Sequence, residues 1–325
     1  MLRYIIRRFF TGLFVLFVAS VAVFVLVAES GDPLGILRSN PSIPRSAIAL
    51  RAKELHLNLP LWDRYWLWIS HAVRGDFGQD FYRFPVFPEF KLHLFITLRM
   101  VIGATILAIV IALSLGVLAA LKRGKVTDHA ITLGNFVFLA APVFIIGLVL
   151  KVYVATPIDK WWGDQLLPTE GAQSPTLPTG SLHVLGDYVS HAILPTISVI
   201  LASYASWAIY QRSTLLDVMD SDFVRFARSK GISSRRVLLR HTLRNALIPV
   251  ITVIALDFAG ILGGALITEI VFGWAGLGRW FLTAVNNQDI NSILAYLMFT
   301  ATLVIVFNLI ADIFYAVLDP RIRYA

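Results

Sequence analysis

The feature that most limits what this chain can become is the run from Phe9 to Ala28, 20 residues without a charge. At about 1.5 Å per residue a helix of that length crosses roughly 30 Å of hydrocarbon, and a helix pairs its own backbone there. Met100–Leu121, Ala130–Leu150 and Ala192–Gln211 are uncharged as well. Two further apolar stretches hold one acid each, Asp257 in 246–268 and Asp312 in 291–318. Six spans follow, at about 9–28, 96–121, 130–154, 189–211, 246–268 and 291–318. The expected fold class is an all-α polytopic membrane protein with six transmembrane helices, at home in the cell membrane. Composition agrees: 57% of residues are hydrophobic and 15% charged, where a soluble domain carries about a quarter charged.

Arg3, Arg7 and Arg8 precede the first run and give it the look of a signal peptide. Secretory cores are only about 7–15 residues long, so Phe9–Ala28 reads as a retained first membrane helix. Orientation follows from basic residues in the short connections. With the N-terminus inside, the inner side gains Lys122, Arg123, Lys125, Arg212, the arginines of 225–244, Arg321 and Arg323. The short outer loops then hold only Lys160 and Arg279, with Lys151 near the outer end of the third span. Both termini are expected on the cytoplasmic side. The net charge of +8 is explained by this retention of loops, not by nucleic acid.

The chain divides into an N-terminal span (1–28), an extracytoplasmic segment (29–95) and a five-helix core (96–325) that includes an inner loop at 213–247. In the extracytoplasmic segment Leu61, Tyr65, Trp68, Ile69 and Ala72 recur at helical spacing. Asn58 is placed to cap that helix, and Gly75 and Gly78 to end it. Its aromatic face suits the membrane interface or packing on the first span. Trp161 and Trp162 are placed at the interface at the start of a Pro- and Gly-rich loop, 156–187.

The loop from Asp222 to Pro249, DFVRFARSKGISSRRVLLRHTLRNALIP, carries the functional argument. Asp220, Ser221 or Asp222 can cap a helix whose apolar face is Phe223, Phe226 and Ala227. Gly231 is placed to end it in a left-handed conformation. A second helix, capped by Ser233 or Ser234, presents Arg236, Arg240 and Arg244 as a basic stripe, flanked by Val237, Leu238 and His241. A helix pair folded around a glycine is a stiff docking element next to the membrane. Anionic head groups are the plainer partner for its charge.

No catalytic group is expected. The chain has no cysteine, no GxxxxGK[ST] phosphate loop and no metal-ligand spacing among its 7 histidines. No cofactor is expected either. Intramembrane acids are functional candidates by default. Asp257, near mid-span, is the candidate for the substrate path, and Asp312 with Asn308 for an interhelical hydrogen bond. A channel or secondary carrier would show several buried charges or an inverted repeat; two acids and no clear repeat are seen.

The loop resembles the EAA loop of ABC importer permeases, whose pattern is EAA, three residues, Gly, nine residues, then I-x-L-P. With the glycine on Gly231, Arg225, Phe226 and Ala227 stand on the triplet, and His241, Leu243 and Arg244 on I, L and P. Ala227, Gly231 and Leu243 keep the general pattern. FVRFARSKG followed by RHTLRNALIP is similar to the oligopeptide/dipeptide (peptide/nickel) branch, which commonly places Arg for Glu and ends in His-x-Leu-Arg-Asn. LNLPLWDRYWLWISHAVRGDFGQDF, TEIVFGWAGLGRW and NLIADIFYAVLDPRIRY resemble that branch in order along the chain, with Ala275 where Pro is common.

The resemblance implies the type I permease fold and the first of two paired permeases. It implies a second homologous permease, two cytoplasmic ATPase subunits, an extracytoplasmic solute-binding protein and a peptide as cargo. A nickel chelate or another small solute is the alternative within the same architecture. It implies an ATPase-coupling role for 220–245, on Arg225, Ala227, Arg228, Gly231, Arg236, Arg240, His241 and Leu243.

Overall fold

The computed structural model describes residues 2–163, 166–176 and 180–318. Its helices in chain order are α1 (Leu2–Glu29), α2 (Gly35–Ser39), α3 (Arg45–Glu54), α4 (Leu61–Ala72), α5 (Val86–Leu121), α6 (Val126–Ala140) and α7 (Val143–Val149). A π-helical segment, Leu150–Ala155, leads to α8 (Thr156–Trp162) and then α9 (Ser181–Met219). After α10 (Asp222–Ser229) and α11 (Ser234–Arg236) comes a second π segment, Val237–Thr242, then α12 (Leu243–Val271), α13 (Leu277–Asn286) and α14 (Ile290–Leu318). Five helices are long and apolar enough to cross a membrane, and six if one bent pair is a single span. Arg321, Arg323 and the end of the C-terminal motif lie outside the described residues.

The third span is not the single helix that its uncharged run predicts. It breaks between α6 and α7 with a bend of 106°. Pro142 is the cause: it offers no backbone N–H and pushes the residue before it out of helical geometry. Ala141 accordingly sits extended, at φ −77° and ψ 124°. α5 departs in the other direction, beginning at Val86, well before its apolar run.

Two compact units form. One is built on Leu98–Trp274 and continues from Val306, and the other on Ile6–Thr97 with Ala275–Ile305. Polar contacts tie residues together within the second unit. The Leu277 amide donates to Thr97 Oγ1 at 2.7 Å, and the Phe81 amide donates to Asp289 at 3.1 Å. Asp289 also receives the Ser292 hydroxyl at 2.6 Å, at the start of α14. Burial pushes its carboxyl above the ordinary aspartate range, and those hydrogen bonds pull against that rise.

α4 lies against α1 in this unit. Tyr65 is buried, its hydroxyl 2.8 Å from that of Ser20, and Phe24 meets the Tyr65 ring edge-on. Packing on the first span is thus seen, while Trp62 and Trp66 stay exposed. Asn58 does not cap the helix; the N-cap is Pro60, whose carbonyl takes the Arg64 amide. Gly75 and Gly78 follow the helix at φ +83° and +78°.

The first unit is organised by a stripe of small residues on α5. Ala104, Ala108 and Ala112 are fully buried against Tyr204, Ala205, Trp207 and Ala208 of α9 and Val250 and Ile254 of α12. Gly116 extends the stripe: a Cβ there would lie 2.7 Å from the Gln211 Cβ and 2.8 Å from the Ala208 carbonyl oxygen. Helices in lipid gain their contact from such close approach. Gly116→Ala should therefore push α5 from α9 and cost about 1–3 kcal/mol, read as a lower thermal midpoint of the purified protein. Gly103→Ala, where a Cβ meets nothing within 4 Å, should be neutral or stabilising by up to about 1 kcal/mol.

Candidate functional site

α10 begins at Ser221, which is extended (φ −71°, ψ 152°) and gives its carbonyl to the Val224 and Arg225 amides. Its hydroxyl turns back to the Val218 carbonyl at 2.5 Å, so the helix starts without a side-chain cap. Gly231 adopts φ +74°, as its place after α10 predicted. A Cβ there would meet nothing within 4 Å, so the turn's conformation selects glycine and crowding does not.

The buried face of α10 differs from the expected one. Val224 and Ala227 are buried and pack with Val237, Val218 and Ile232, which closes the elbow on itself. Phe223 and Phe226 stand exposed at 46% and 61%, with the Lys230 ammonium 4.4 Å from the Phe226 ring. The pattern could not separate these outcomes, because 223, 224, 226 and 227 all fit one side of a helix.

The second helix is not a separate piece. From Ser234 the chain stays helical into α12, with the π segment as the joint. A π turn carries one residue more than an α turn, so Arg236, Arg240 and Arg244 do not form a strict stripe. Arg225, Arg228, Lys230, Arg235, Arg236 and Arg240 are exposed, while His241 and Leu243 are half-buried. The elbow thus presents two aromatic rings amid basic groups, with Asp222 the neighbouring acid (3.8 Å from Arg225).

What holds this end of the bundle was missed from sequence. Arg212 makes a bidentate pair with Asp128, Nε to Oδ1 at 2.7 Å and Nη2 to Oδ2 at 2.8 Å. Asp128 also takes the Gly124 amide at 2.9 Å and is buried. The sequence pattern places Arg212 only among the inner-side charges and gives Asp128 no role. A bidentate arginine–carboxylate pair fixes orientation as well as distance. Above it, Ala120, Leu215 and Ala246 pack together, so α5, α9 and α12 converge beneath the elbow.

The second candidate region lies at mid-span. Asp257 faces an open groove of about 350 Å³ between α7, α9 and α12. The Trp207 indole donates to its Oδ2 at 2.7 Å. At the far end of this unit, residues 166–176 are tied down: the Gly171 amide donates to the Phe272 carbonyl at 2.9 Å and Ser174 bonds Asp187 through amide and hydroxyl. Trp161 and Trp162 are exposed there at the end of α8.

Comparison with known proteins bears on these features together. The family described as binding-protein-dependent transport system inner membrane component matches residues 112–324. The oligopeptide transport system permease protein OppB of Mycobacterium tuberculosis is 36% identical over 99% of both chains. AppB, the oligopeptide transport system permease protein of Bacillus subtilis, is 37% identical over 100% of both. The glutathione transport system permease protein GsiC of Escherichia coli is 34% identical over 100% of both. A crystal structure of an amino acid ABC transporter with histidines superposes with a TM-score of 0.50 at 14% identity, covering 70% of this chain and 93% of that one.

Two outcomes test the local physics. Arg212→Ala strands a buried carboxylate and should cost about 3 kcal/mol, the lower end for a broken buried pair because Arg212 keeps some solvent; thermal unfolding of the purified chain measures it. At the elbow, Gly231→Asn should keep near-normal stability while Gly231→Val loses about 1–2 kcal/mol, visible as faster proteolytic nicking between α10 and α11.

Proposed function

The chain belongs to the family of binding-protein-dependent transport system inner membrane components, and from that membership we propose that it is the first of two paired permeases in an ATP-driven importer of oligopeptides or dipeptides. The observation that carries the cargo is end-to-end likeness to permeases named for oligopeptide transport. A second homologous permease completes the pore. Two ATPase subunits work from the cytoplasm and a solute-binding protein delivers from outside. Both termini of this chain lie inside, and it does no bond-making chemistry of its own. Nothing observed favours a nickel chelate, a channel or a secondary carrier.

The elbow is the coupling element on this reading. Phe223 and Phe226 enter an apolar groove on the ATPase, and Arg225, Arg228, Arg236 and Arg240 meet acidic groups on its rim. Ala227 and Gly231 give the elbow its fixed angle, Ala227 by packing on Val237 and Gly231 by its left-handed turn. His241 and Leu243 sit at the joint, where the lever becomes α12. An ATPase shifts the pore only by binding one conformer better than the other. A lever closed by its own core passes that difference on with less loss than a loose loop. Asp257 stands on the same helix and lines the path.

Alanine at both Phe223 and Phe226 should leave membrane insertion unchanged. Co-purification of the ATPase subunits should fall at least about tenfold, and ATP-driven uptake with it, since truncating a central aromatic anchor commonly costs about 2 kcal/mol or more. Normal assembly and uptake in that variant would remove the elbow from coupling.

A further inference from the structure

A cleft in the second unit lies outside both candidate regions. α1 and α14 cross closely at Gly12, where a Cβ would lie 2.8 Å from Ile305 Cγ2, and Phe24 and Leu294 join them again in one buried cluster. Those two points are about 18 Å apart along α1, at about 1.5 Å per residue. Between them runs a groove of about 610 Å³, with Phe14 and Phe17 of α1, Met298 and Thr302 of α14, and Ala72 at the end of α4 in its walls. Its side chains are apolar except Ser20, Thr302 and Trp68. The Ser20 hydroxyl donates to the Phe17 carbonyl at 2.7 Å, and that of Thr302 to the Met298 carbonyl at 2.8 Å. No hydroxyl there is left to hold water, and the groove follows the first span, so hydrocarbon is the fitting occupant. A helix about 10 Å across would displace about 1,400 Å³ over that length. That is more than twice the groove, so one extended chain fits inside it and a helix does not.

One helical turn further along both walls the chemistry changes. Phe24 follows Ser20 by a turn and Leu294 precedes Met298 by a turn. With Trp68 and Phe77, which also line the groove, they border a smaller cavity of about 240 Å³. Its titratable lining is Glu54, His56, Arg64, His71 and Asp76. The acids are engaged: Glu54 lies 3.2 Å from Arg51 and 3.4 Å from Arg83, and Asp76 takes the Gly78 amide at 2.9 Å. Arg64 differs. It is half-buried on α4, and among the described residues its guanidinium has neither an ion pair nor a hydrogen bond. Burial holds its pKa below the ordinary arginine value, and Glu29 opposes that from beyond ion-pair reach. A partly desolvated guanidinium is costly until an anion meets its fork of donors. At the turn between cavity and groove, the Trp68 indole N–H is shut off from water and lacks an acceptor. A buried donor left unmet costs about 1–3 kcal/mol.

We propose that this cleft is a phospholipid site, in which an acyl chain lies in the groove between α1 and α14 and Arg64 takes the phosphate in the cavity beside it. The glycerol ester linkage falls at the turn between the two, where a carbonyl oxygen meets the Trp68 indole. Free phosphate would also suit Arg64, but it leaves the groove empty. The lipid belongs to the leaflet on the side of α4 and joins α1, α4 and α14. The site stands whichever solute the transporter carries.

The test uses the intact transporter, with its second permease and ATPases, stripped of lipid in detergent. Phosphatidylglycerol, and diacylglycerol with the same chains, are titrated in, and bound lipid is counted by native mass spectrometry. The wild type should hold one phosphatidylglycerol at a concentration about tenfold lower than diacylglycerol needs, equivalent to about 1.4 kcal/mol. Arg64→Gln should close that gap with assembly unchanged, and Arg64→Lys should keep most of it. Ala72→Phe fills the groove and leaves Arg64 in place, so it should weaken both lipids alike. Equal binding of the two lipids by the wild type overturns the proposal, and so does a gap that survives Arg64→Gln or unchanged binding in Ala72→Phe. So too does a transporter that retains no lipid while Phe14→Cys cross-links to the second permease, which would make the groove a contact between subunits.

Discussion

Backbone groups in hydrocarbon have no water to turn to, and this rule governs the rest of the structure. It makes every interruption of a span costly, so each one must be repaired within the chain. At Pro142 the preceding amide, Ala141, still reaches the Val137 carbonyl at 3.1 Å. Just after the first π segment the Thr156 hydroxyl donates to the Lys151 carbonyl at 2.9 Å, and in the second the Thr242 hydroxyl donates to that of Val237 at 3.2 Å. The interruptions fall beside the two candidate regions. The first residue after the Pro142 break, Val143, lines the Asp257 groove, and Val237 is the residue on which α10 closes.

The large features were legible from sequence because hydrophobic length is a strong signal. Five of the six apolar runs form single long helices, and the aromatic helix at 61–72 and the left-handed glycine at 231 stand where the pattern put them. What escaped notice depends on partners far apart in the chain. Asp128 and Arg212 read as ordinary charges near span ends, because nothing local says that they meet. The alanine stripe of α5 reads as more apolar sequence until α9 is laid against it. Pro142 is different: the signal was present, but an uncharged run of 21 residues outweighed it. Spans bent at proline are tolerated where neighbours satisfy the freed groups, so hydropathy alone could not exclude the break.

The elbow shows how a local pattern can be right in kind and wrong in face. A helix of eight residues offers few turns with which to choose between neighbouring apolar positions. The choice was made by Val237, across the turn, which takes Val224 and Ala227 and leaves both phenylalanines outside. Large aromatic surface at a water-facing bend costs solubility unless something covers it. Membrane lipid could cover one ring lying flat. Two rings ringed by arginines, on a lever rooted in the bundle, fit a protein surface better.

The same helix joins both regions, and that has a thermodynamic consequence on the proposed reading. From Val237 to Asp257 the chain is continuously helical over about 30 Å, at about 1.5 Å per residue, through the π segment and past Pro249. Thr268 lies further along it. On that reading, nucleotide state at the elbow and solute in the groove at Asp257 act on one continuous helix. Linkage between two sites is reciprocal in free energy: if the ATPase changes how the groove holds a solute, the solute changes how the elbow holds the ATPase by the same factor. A peptide that the groove holds equally in both conformers would ride through without altering the cycle. One that it holds better in the outward-open form would have to be displaced at the expense of the nucleotide.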